Sequence, residues 1–296
     1  MISMLKGWLI YNQKDAQRNE AYIKWFLEEA KDLDVELSLL LKEDLTFGIA
    51  KQKLFCNYRG EAIAKPDFAI VRNRDALFSE QLELMAIRTF NSSKVSRICN
   101  DKARTHQYLA GYEIPMLDTV FWRAGEFSEY KLAYLNFPIV VKTVAGHGGQ
   151  EVYQVKNEQA LRDLLNTLAS KDLILQAMGQ AGRDVRVFVV GKEIVGAVLR
   201  QSEQDFRSNY SLGGQSQLYD LSLEQRELVH KVIDAFDELA MVGVDFIFDQ
   251  EGRFVLNEIE DVVGSRTLSL HSDVNIVRKY LLHIMNCVMG SKKVCP

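Results

Sequence analysis

The stretch that most constrains the fold is an acidic hairpin near the C-terminal end of the chain. Residues 243–266 read GVDFIFDQEGRFVLNEIEDVVGSR, and apolar residues recur at alternate positions on both sides of a polar turn at residues 249–252. This alternation predicts two antiparallel strands joined by a short loop. With a loop of those four residues, Phe248 pairs with Arg253. That register decides which side chains share a face of the hairpin.

Acidic side chains share one face of the hairpin in this register. Asp245 pairs with Leu256, and the diagonal neighbour of Asp245 is Glu258. Glu260 lies two residues further along the same face. Diagonal neighbours lie about 7–8 Å apart at Cα, so two carboxylates can share a cation, and Mg²⁺ prefers such oxygen ligands. The alternative is an edge hairpin with a solvated face, since a loop one residue shorter or longer would reverse the faces.

The composition is that of an ordinary soluble globular protein. Of 296 residues, 47% are hydrophobic and 26% are charged, with a formal net charge of −4, which allows two or three lobes with cores of their own. No basic stripe marks a nucleic-acid-binding surface. The N-terminus lacks the features of a signal peptide, and no run approaches the roughly 18 apolar residues of a membrane span. Cys56, Cys99, Cys287 and Cys295 are scattered, like reduced thiols. We therefore predict a cytoplasmic protein that binds neither nucleic acid nor membrane.

The first third of the chain predicts a small parallel α/β lobe. Strands are expected at residues 6–11, 35–41 and 68–72, helices at about residues 22–30 and 79–90, and a hairpin near residues 54–63. Alternation of strands and helices at this spacing favours a parallel sheet.

The later two-thirds mixes helices with antiparallel hairpins. Strands are expected at residues 137–144, 151–155, 172–176, 185–190 and 193–200, and helices at about residues 101–110, 158–170, 222–239 and 273–289. Ser222 begins one helix with a capping box to Gln225, and Asp273 is the expected cap of the last helix.

A lysine strand leads into a glycine loop in the middle of the chain. Lys142 lies in an apolar strand, where a lysine needs an anionic partner or an exit to solvent. Gly146, Gly148 and Gly149 follow, and their backbone N–H groups could let a phosphate approach closely. A plain hairpin turn is the alternative. His147 is expected to be exposed to solvent or to face a phosphate loosely, rather than to bind metal.

Other charged residues fit either a binding site or a protein surface. The polar segment over residues 200–214 carries Arg200, Arg207 and Asn209, and it is either a flexible loop or a lid whose arginines bind phosphate or carboxylate. Asp184 and Arg186 alternate on one strand, where a weak surface ion pair is the plain interpretation. Lys102 could simply be a charge on a helix surface. Arg72 and Arg74 end a strand where open α/β sheets bind ligands, although they could also cap the sheet.

Taken in order, these stretches resemble the ATP-grasp superfamily, and within it the RimK-type ligases, which add glutamate or another amino acid to a carboxylate. NDKARTHQYLAGYEIPMLDT resembles the family's opening helix, FPIVVKTVAGHGGQEV its lysine strand and glycine loop, LILQAM its adenine hinge and RDVRVFVVG its D-x-R strand. DFRSNYSLGG is the most specific match, near-identical to the RimK-type lid, while VGVDFIF and VLNEIE occupy the metal positions. The likeness extends over about residues 95–268.

The resemblance implies the α/β (α+β) ATP-grasp fold and assigns roles to residues. An N-terminal α/β domain would cover residues 1–98 and an ATP-grasp domain residues 99–296, with subdomains of about 99–180 and 181–296 that clamp ATP. ATP would be bound by Lys102, Lys142, Gly146, Gly148, Gly149, Gln176, Ala177, Met178 and Asp184. Catalysis would use Arg200, Arg207 and Asn209, the substrate would be bound by Arg186, Arg207, Ser208 and Arg266, and Mg²⁺, for which Mn²⁺ could substitute, by Asp245, Glu258 and Glu260.

The chain departs from the family's pattern at the hinge, the metal site and the end of the motif region. Ala177 stands where the family often has Glu, and Glu260 stands where it usually has Asn. The segment EDVVGSRTL differs from the usual N-x-x-P-G ending, and Arg266 within it suggests an altered carboxylate substrate.

The resemblance implies an ATP-dependent carboxylate–amine ligase that forms an amide through an acyl-phosphate. The partners would be a carboxylate substrate and an amino acid or other amine, and the acceptor could be a small molecule, a peptide or a carrier protein. The alternatives are a kinase-like protein that stops at phosphorylation, and a regulatory protein that binds nucleotide without turnover. Relatives are often dimers or tetramers, so a homo-oligomer is compatible with the resemblance.

Overall fold

The computed structural model describes residues 4–123, 127–149, 151–202 and 214–292. Most of the proposed lid, including Arg207, Ser208 and Asn209, lies outside the described residues. The helices and strands fall into an N-terminal, a central and a C-terminal group, each built on a sheet. Together they form the mixed α/β architecture that the sequence predicts.

The N-terminal group is built on a parallel sheet with the strand order β2-β1-β6-β7. Its elements are β1 (Leu5–Tyr11), α1 (Gln13–Arg18), α2 (Glu20–Asp32), β2 (Val35–Leu41), a 3₁₀ turn (Lys42–Asp44), β3 (Leu45–Ala50), β4 (Lys53–Tyr58), β5 (Glu61–Ala62), β6 (Phe68–Val71), α3 (Ala76–Leu84), β7 (Arg88–Phe90) and α4 (Ser93–Cys99). The strands β3, β4 and β5 form a separate antiparallel sheet.

Two expectations for this region need correction. The hairpin expected near residues 54–63 is a longer meander, because β3 precedes it. The helix expected at residues 79–90 ends at Leu84, and β7 follows. Ala86 takes a positive φ of 60°, which an L-residue in a continuing helix does not adopt, so the chain turns there into the sheet.

The central group is an antiparallel sheet with the order β10-β9-β11-β8, and α6 packs against it. Its elements are α5 (Lys102–Ala110), β8 (Thr119–Trp122), a 3₁₀ turn (Glu129–Leu132), β9 (Ile139–Thr143), β10 (Val152–Val155), α6 (Glu158–Thr167) and β11 (Leu173–Ala177). Residues at alternate positions of β9 face the core and the opposite side, so Val141 is buried against α6 while Lys142 faces away from it.

The C-terminal group is an antiparallel sheet with the order β14-β13-β12-β15-β16. Its elements are β12 (Arg183–Val190), β13 (Glu193–Gln201), β14 (Gln215–Leu218), α7 (Leu223–Asp234), β15 (Met241–Phe248), β16 (Phe254–Glu260), α8 (Arg266–His271) and α9 (Ile276–Lys292). The capping box of Ser222 and Gln225 is present. The cap of α9 is Asn275, whose Oδ1 accepts a hydrogen bond from the backbone N–H of Arg278 at 2.9 Å, so the expectation of Asp273 is wrong.

The acidic hairpin forms in a different register from the one expected. Phe248 pairs with Phe254 rather than with Arg253, because the loop is one residue longer. A bulge then adds Asn257 to β16, so that Asp245 pairs directly with Glu258 rather than with Leu256. The sequence predicted a shorter loop that would place Asp245, Glu258 and Glu260 on one face of the hairpin. The longer loop alone would move the glutamates to the opposite face, and the bulge returns them to the face of Asp245.

The N-terminal lobe and the C-terminal sheet share one hydrophobic core. Leu9, Phe26 and Phe68 pack in the same cluster as Phe188 and Tyr280. A second core lies between the other face of the C-terminal sheet and α4, α5 and α7. In the described part of the chain, no helix is both long and apolar enough to cross a membrane.

Candidate active site

A cleft lies between the central sheet and the C-terminal sheet. Its empty space amounts to about 830 Å³, with the adjoining open solvent included. Its lining includes Lys102, Lys142, Gly146, Gly148, Gly149, Gln176, Ala177, Met178, Asp184 and Glu258. The structure therefore brings to one cleft the residues that the sequence proposes for ATP, together with one proposed metal ligand.

Lys142 extends from β9 into the cleft floor with only 8% of its surface exposed. Its Nζ donates hydrogen bonds of 2.8 Å to Oε1 of Gln176 and 2.8 Å to Oδ1 of Asn257. Burial lowers the pKa of Lys142 to about 8, with Glu258 opposing the shift. Because both contacting oxygens are neutral, an anion entering the cleft would stabilise the charged ammonium.

Lys102 connects α5 to the glycine loop. It is 9% exposed, so the interpretation of a charge on a helix surface is wrong. Its Nζ donates to the backbone carbonyl of Gly146 and lies 3.3 Å from a carboxylate oxygen of Glu258. Gly148 and Gly149 have φ of 65° and 74°, a left-handed conformation that favours glycine and turns the loop over the cleft.

His147 is exposed in this loop, as expected, and it lines the cleft. It is not among the described residues that cluster as potential metal ligands.

Beneath the cleft lies a buried network of two aspartates and two arginines. Asp184 pairs with Arg200 across β12 and β13, and Arg186 pairs with Asp245 across β12 and β15. Arg186 Nε donates to Asp245 Oδ1 at 2.7 Å and its Nη2 to Oδ2 at 2.6 Å, while Arg200 Nη2 donates to the same Oδ2 at 2.9 Å. All these side chains are at least nine-tenths buried, so a weak surface ion pair is the wrong description of Asp184 and Arg186.

The network keeps Asp245 ionised. Burial alone would raise the pKa of its carboxyl, but the guanidinium groups of Arg186 and Arg200 outweigh burial and lower that pKa below the usual value. Asp245 is 1% exposed in β15, so its face of the hairpin is not solvated, although β16 does form an edge of the sheet.

Asp245, Glu258 and Glu260 could hold a cation. Their carboxylate oxygens lie within 4.8 Å of one another, and such hard oxygen donors fit Mg²⁺ or Mn²⁺. Glu258 and Glu260 keep 23% and 21% of their side chains exposed, next to Lys102 and Arg186 respectively. Asp245 uses three of about four acceptor positions for arginine, which leaves one position on Oδ1.

The far end of the cleft is more apolar. Leu117, Val140 and Ile247 line it beside Ala177 and Met178. The backbone N–H of Ala177 donates a hydrogen bond to the backbone carbonyl of Asp118, and Ala177 brings no polar side chain. The side-chain amide of Gln176 faces Lys142 rather than the apolar end of the cleft. Its Oε1 accepts from Lys142, and its Nε2 donates to Thr119 Oγ1 at 3.1 Å.

Sequence reasoning missed Asn257 and His106. Asn257 is the extra residue of the bulge, and its carbonyl accepts a hydrogen bond of 2.9 Å from His106 Nε2. Burial lowers the pKa of His106 to about 4, so the ring is neutral and holds the bulge in place. A bulge is not visible in an alternating pattern, and N-E-I-E offers no other local signal.

A smaller cleft adjoins the first at Lys102, Gly146, His147 and Glu258. Arg74 and Glu260 line it as well. Arg74 is exposed at the end of the N-terminal lobe. The end of the parallel sheet, where the sequence suggested a ligand site, therefore lies beside Glu258 and Glu260.

Arg72 and Arg266 lie apart from both clefts. Arg72 is 6% exposed and donates to the carbonyl of Val263 at 2.7 Å and to the hydroxyl of Tyr11 at 3.3 Å, so it joins the lobe to the segment after β16. Arg266, which was expected to bind substrate, is exposed at the start of α8 and lines neither cleft.

Comparisons with known proteins agree with this geometry. Residues 99–284 match the family model of the RimK-like ATP-grasp domain. A probable alpha-L-glutamate ligase of Xanthomonas axonopodis pv. citri is 31% identical over 255 residues, which cover 82% of this chain and 86% of that protein. Human beta-citrylglutamate synthase B is 29% identical over 78% of this chain, and the match spans 64% of the length of that relative.

A solved RimK domain protein of the ATP-grasp type from Sphaerobacter thermophilus has the same fold. The TM-score is 0.68 at 16% identity, and the match covers 89% of this chain and 94% of that structure.

Proposed function

We propose that this chain, which belongs to the RimK-like ATP-grasp family, joins an amino acid to a carboxylate at the expense of ATP. A relative named as a probable alpha-L-glutamate ligase supports this reaction. The observation that carries the proposal is the meeting of two clefts at Lys102 and Glu258. The larger cleft suits a nucleotide. The smaller cleft suits a carboxylate.

ATP would lie in the larger cleft with its adenine at the apolar end. Leu117, Val140 and Ile247 would contact the base, and the backbone of Ala177 and Met178 would border its edge. The phosphates would lie toward Lys102 and Lys142, under the glycine loop. Lys142 supports this orientation because the two oxygens to which its Nζ donates, on Gln176 and Asn257, are both neutral.

Mg²⁺ would be held mainly by Glu258 and Glu260, with one oxygen of Asp245. When bound, it would offset negative charge on the phosphates. Arg186 and Arg200 hold Asp245 in place from below, so the carboxylate remains ionised and fixed. Glu260 in place of the usual Asn adds a negative charge, which Arg186 partly neutralises at 3.0 Å.

The reaction would begin with attack of a substrate carboxylate oxygen on the γ-phosphorus of ATP. The bond to ADP breaks, ADP leaves and an acyl-phosphate forms. The amine nitrogen then attacks the acyl carbon, and phosphate leaves as the amine loses a proton. Lys102 and Lys142 would offset the charge that spreads over the transferred group, so the contribution of the protein is mostly positioning and electrostatics.

The carboxylate would be bound in the smaller cleft by Arg74. Arg74 lines the same cleft as Glu258 and Glu260, beside the place proposed for the phosphates. Glutamate is our choice of amino acid because a 31% identical relative is named as a probable glutamate ligase. The carboxylate partner would be a small acid, a peptide or a carrier protein, and residues 99–296 would form the ATP-grasp domain.

The test is product formation from Mg-ATP, glutamate and a panel of carboxylates. The panel would hold di- and tricarboxylic acids and peptides with acidic ends, and mass spectrometry would identify the product. We expect ADP, phosphate and a new amide only when both co-substrates are present. Arg74→Ala should raise KM for the carboxylate by about 10–100-fold and leave KM for ATP unchanged, because a charged hydrogen bond is lost. Arg123→Ala, a change to an exposed arginine outside both clefts, is the control.

Two outcomes would replace the proposal with an alternative. A stable phosphorylated acceptor with no amide would mean a kinase. Tight ATP binding with no ADP for any acceptor would favour a regulatory nucleotide-binding protein.

A further inference from the structure

A cluster of sulfur, nitrogen and oxygen ligands lies where the C-terminal helix meets the segment after α7, apart from both clefts. His283 and Cys287 are four residues apart on α9, so they share one face of the helix. Glu238 follows α7 and reaches the same point. The ligand atoms of the three residues lie within 4.8 Å of one another, and all three residues are half-buried.

The distance between the sulfur and the nitrogen matches a tetrahedral zinc site. His283 Nε2 and Cys287 Sγ are 3.6 Å apart. Zinc binds sulfur at about 2.3 Å and imidazole nitrogen at about 2.0–2.1 Å, and a tetrahedral angle between these bonds separates the two atoms by about 3.6 Å. The pair is therefore already spaced to share one ion.

The imidazole ring is held in this orientation by its surroundings. Gly191 lies against the Nδ1 side, where a Cβ atom would fall 2.7 Å from the ring, and its φ of 60° also favours glycine. The ring also meets Phe90 edge to face. Packing against Gly191 and Phe90 therefore limits rotation of the imidazole.

The glutamate is held in the same manner. Arg88 Nη2 donates to Glu238 Oε2 at 2.6 Å, and Arg88 Nη1 donates to the backbone carbonyl of Cys287 at 2.8 Å. The arginine thus orients a ligating carboxylate and the helix turn that carries the thiol. It would also balance part of the charge of a thiolate and a carboxylate.

We propose that Glu238, His283 and Cys287 form a zinc site with a water molecule in the fourth position. Binding would release the thiol proton to solvent. The sulfur and nitrogen ligands favour Zn²⁺ over Mg²⁺, which prefers oxygen. The ion would join α9 to the segment after α7 and, through Arg88, to β7 of the N-terminal lobe.

The experiment uses the full chain without ATP or carboxylate, in excess Mg²⁺ to saturate oxygen-only sites. Zn²⁺ affinity would be measured by competition with a chromophoric chelator, and Co²⁺ would report sulfur ligation through a thiolate-to-cobalt charge-transfer band. We expect one Zn²⁺ per chain and a raised Tm. Cys287→Ser and His283→Gln should each abolish the cobalt band, and Arg88→Gln should weaken zinc binding by about 10–100-fold.

Cys56→Ala is the control, because it removes a buried thiol from a different core cluster. This variant should retain the band. The proposal is overturned if wild type binds no zinc, or if zinc binding and the cobalt band survive in Cys287→Ser with a folded circular dichroism spectrum. The contact between Cys287 and His283 would then be a thiol–imidazole hydrogen bond alone. No turnover is measured, so the outcome is independent of the proposed ligase activity.

Discussion

At the scale of single residues, the sequence shows which charged residues are unusual for their surroundings, but it does not show which residues contact them. Lys142 stands out as a lysine in an apolar run, and the structure places it in a buried position beside two neutral oxygens. Asp245 also stands out, but its two arginine partners come from other strands. Those contacts are long-range, so spacing along the chain could not give them.

Asp245 is buried against two arginines, whereas Glu258 is partly exposed, so substitutions of the two residues should differ in their cost to stability. Asp245→Asn removes the charge that balances Arg186 and Arg200, and leaving buried charges uncompensated should lower the free energy of unfolding by about 3–5 kcal/mol. Glu258→Gln changes a side chain that is 23% exposed, and its cost should be about 1 kcal/mol. Chemical denaturation of both variants measures the difference.

Both substitutions should lower ligase turnover by about 100-fold or more, since even the partners of metal ligands are worth about 10–100-fold. Equal and small losses of stability would contradict the buried network. Near-wild-type turnover in Glu258→Gln would contradict the proposed metal role of Glu258.

His106 gives the fold a pH dependence. Its pKa is about 4 in the folded protein and near 6.5 when unfolded, so the unfolded chain binds a proton first as pH falls. The contribution of neutral His106 to the free energy of unfolding is fully present above pH 6.5 and is lost as the pH falls toward 4. His106→Gln keeps a hydrogen-bond donor and does not titrate, so from pH 7 to pH 5 wild type should lose about 2 kcal/mol relative to the variant. Urea unfolding at both pH values measures this, and a constant difference would contradict the assignment.

At the scale of elements, the hairpin itself was predictable but its register was not. Strict alternation from Val255 would place Asn257 and Ile259 on the cleft side and Glu258 with Leu256 in the core. The bulge shifts the phase, so that Asn257 and Glu258 both face the cleft while Ile259 is buried. The bulge exists because burying Ile259 is favourable and burying two glutamates is not.

Asn257 links this bulge to the lysine strand. Asn257→Ala removes one of the two oxygens that contact the Lys142 ammonium, and it should lower the free energy of unfolding by about 1–3 kcal/mol and raise KM for ATP. Asn257→Asp keeps an acceptor and is the matched control. A loss of stability as large in Asn257→Asp as in Asn257→Ala would show that the contact is not the cause.

At the scale of the whole molecule, the order of helices and strands predicted the mixed architecture, but not how the parts are joined. The N-terminal lobe and the C-terminal sheet bury side chains in one core, and Arg72 and Asn91 donate hydrogen bonds from the lobe to backbone carbonyls at and beyond β15 and β16. A parallel α/β lobe followed by hairpins indicates fold class. It does not indicate that the lobe completes the core of the other part.

The shared core predicts that residues 99–296 do not fold alone. Without the lobe, this fragment would expose Phe188, Val198 and Tyr280, which are buried in the full chain. We expect a single calorimetric transition for the full chain and no cooperative transition for the fragment. A soluble fragment that melts cooperatively would contradict the shared core.

The most direct test of the central proposal is hydroxylamine trapping of the acyl-phosphate. Hydroxylamine replaces the amine, so an activated carboxylate appears as a hydroxamate whatever amino acid the enzyme prefers. We predict hydroxamate and ADP in equal amounts from Mg-ATP and one carboxylate of the panel, and a rate of formation of both products lower by about 100-fold or more with Glu258→Gln. If a carboxylate of the panel stimulates ADP formation and none gives hydroxamate, the ligase mechanism is contradicted, even if ATP binds tightly in the cleft.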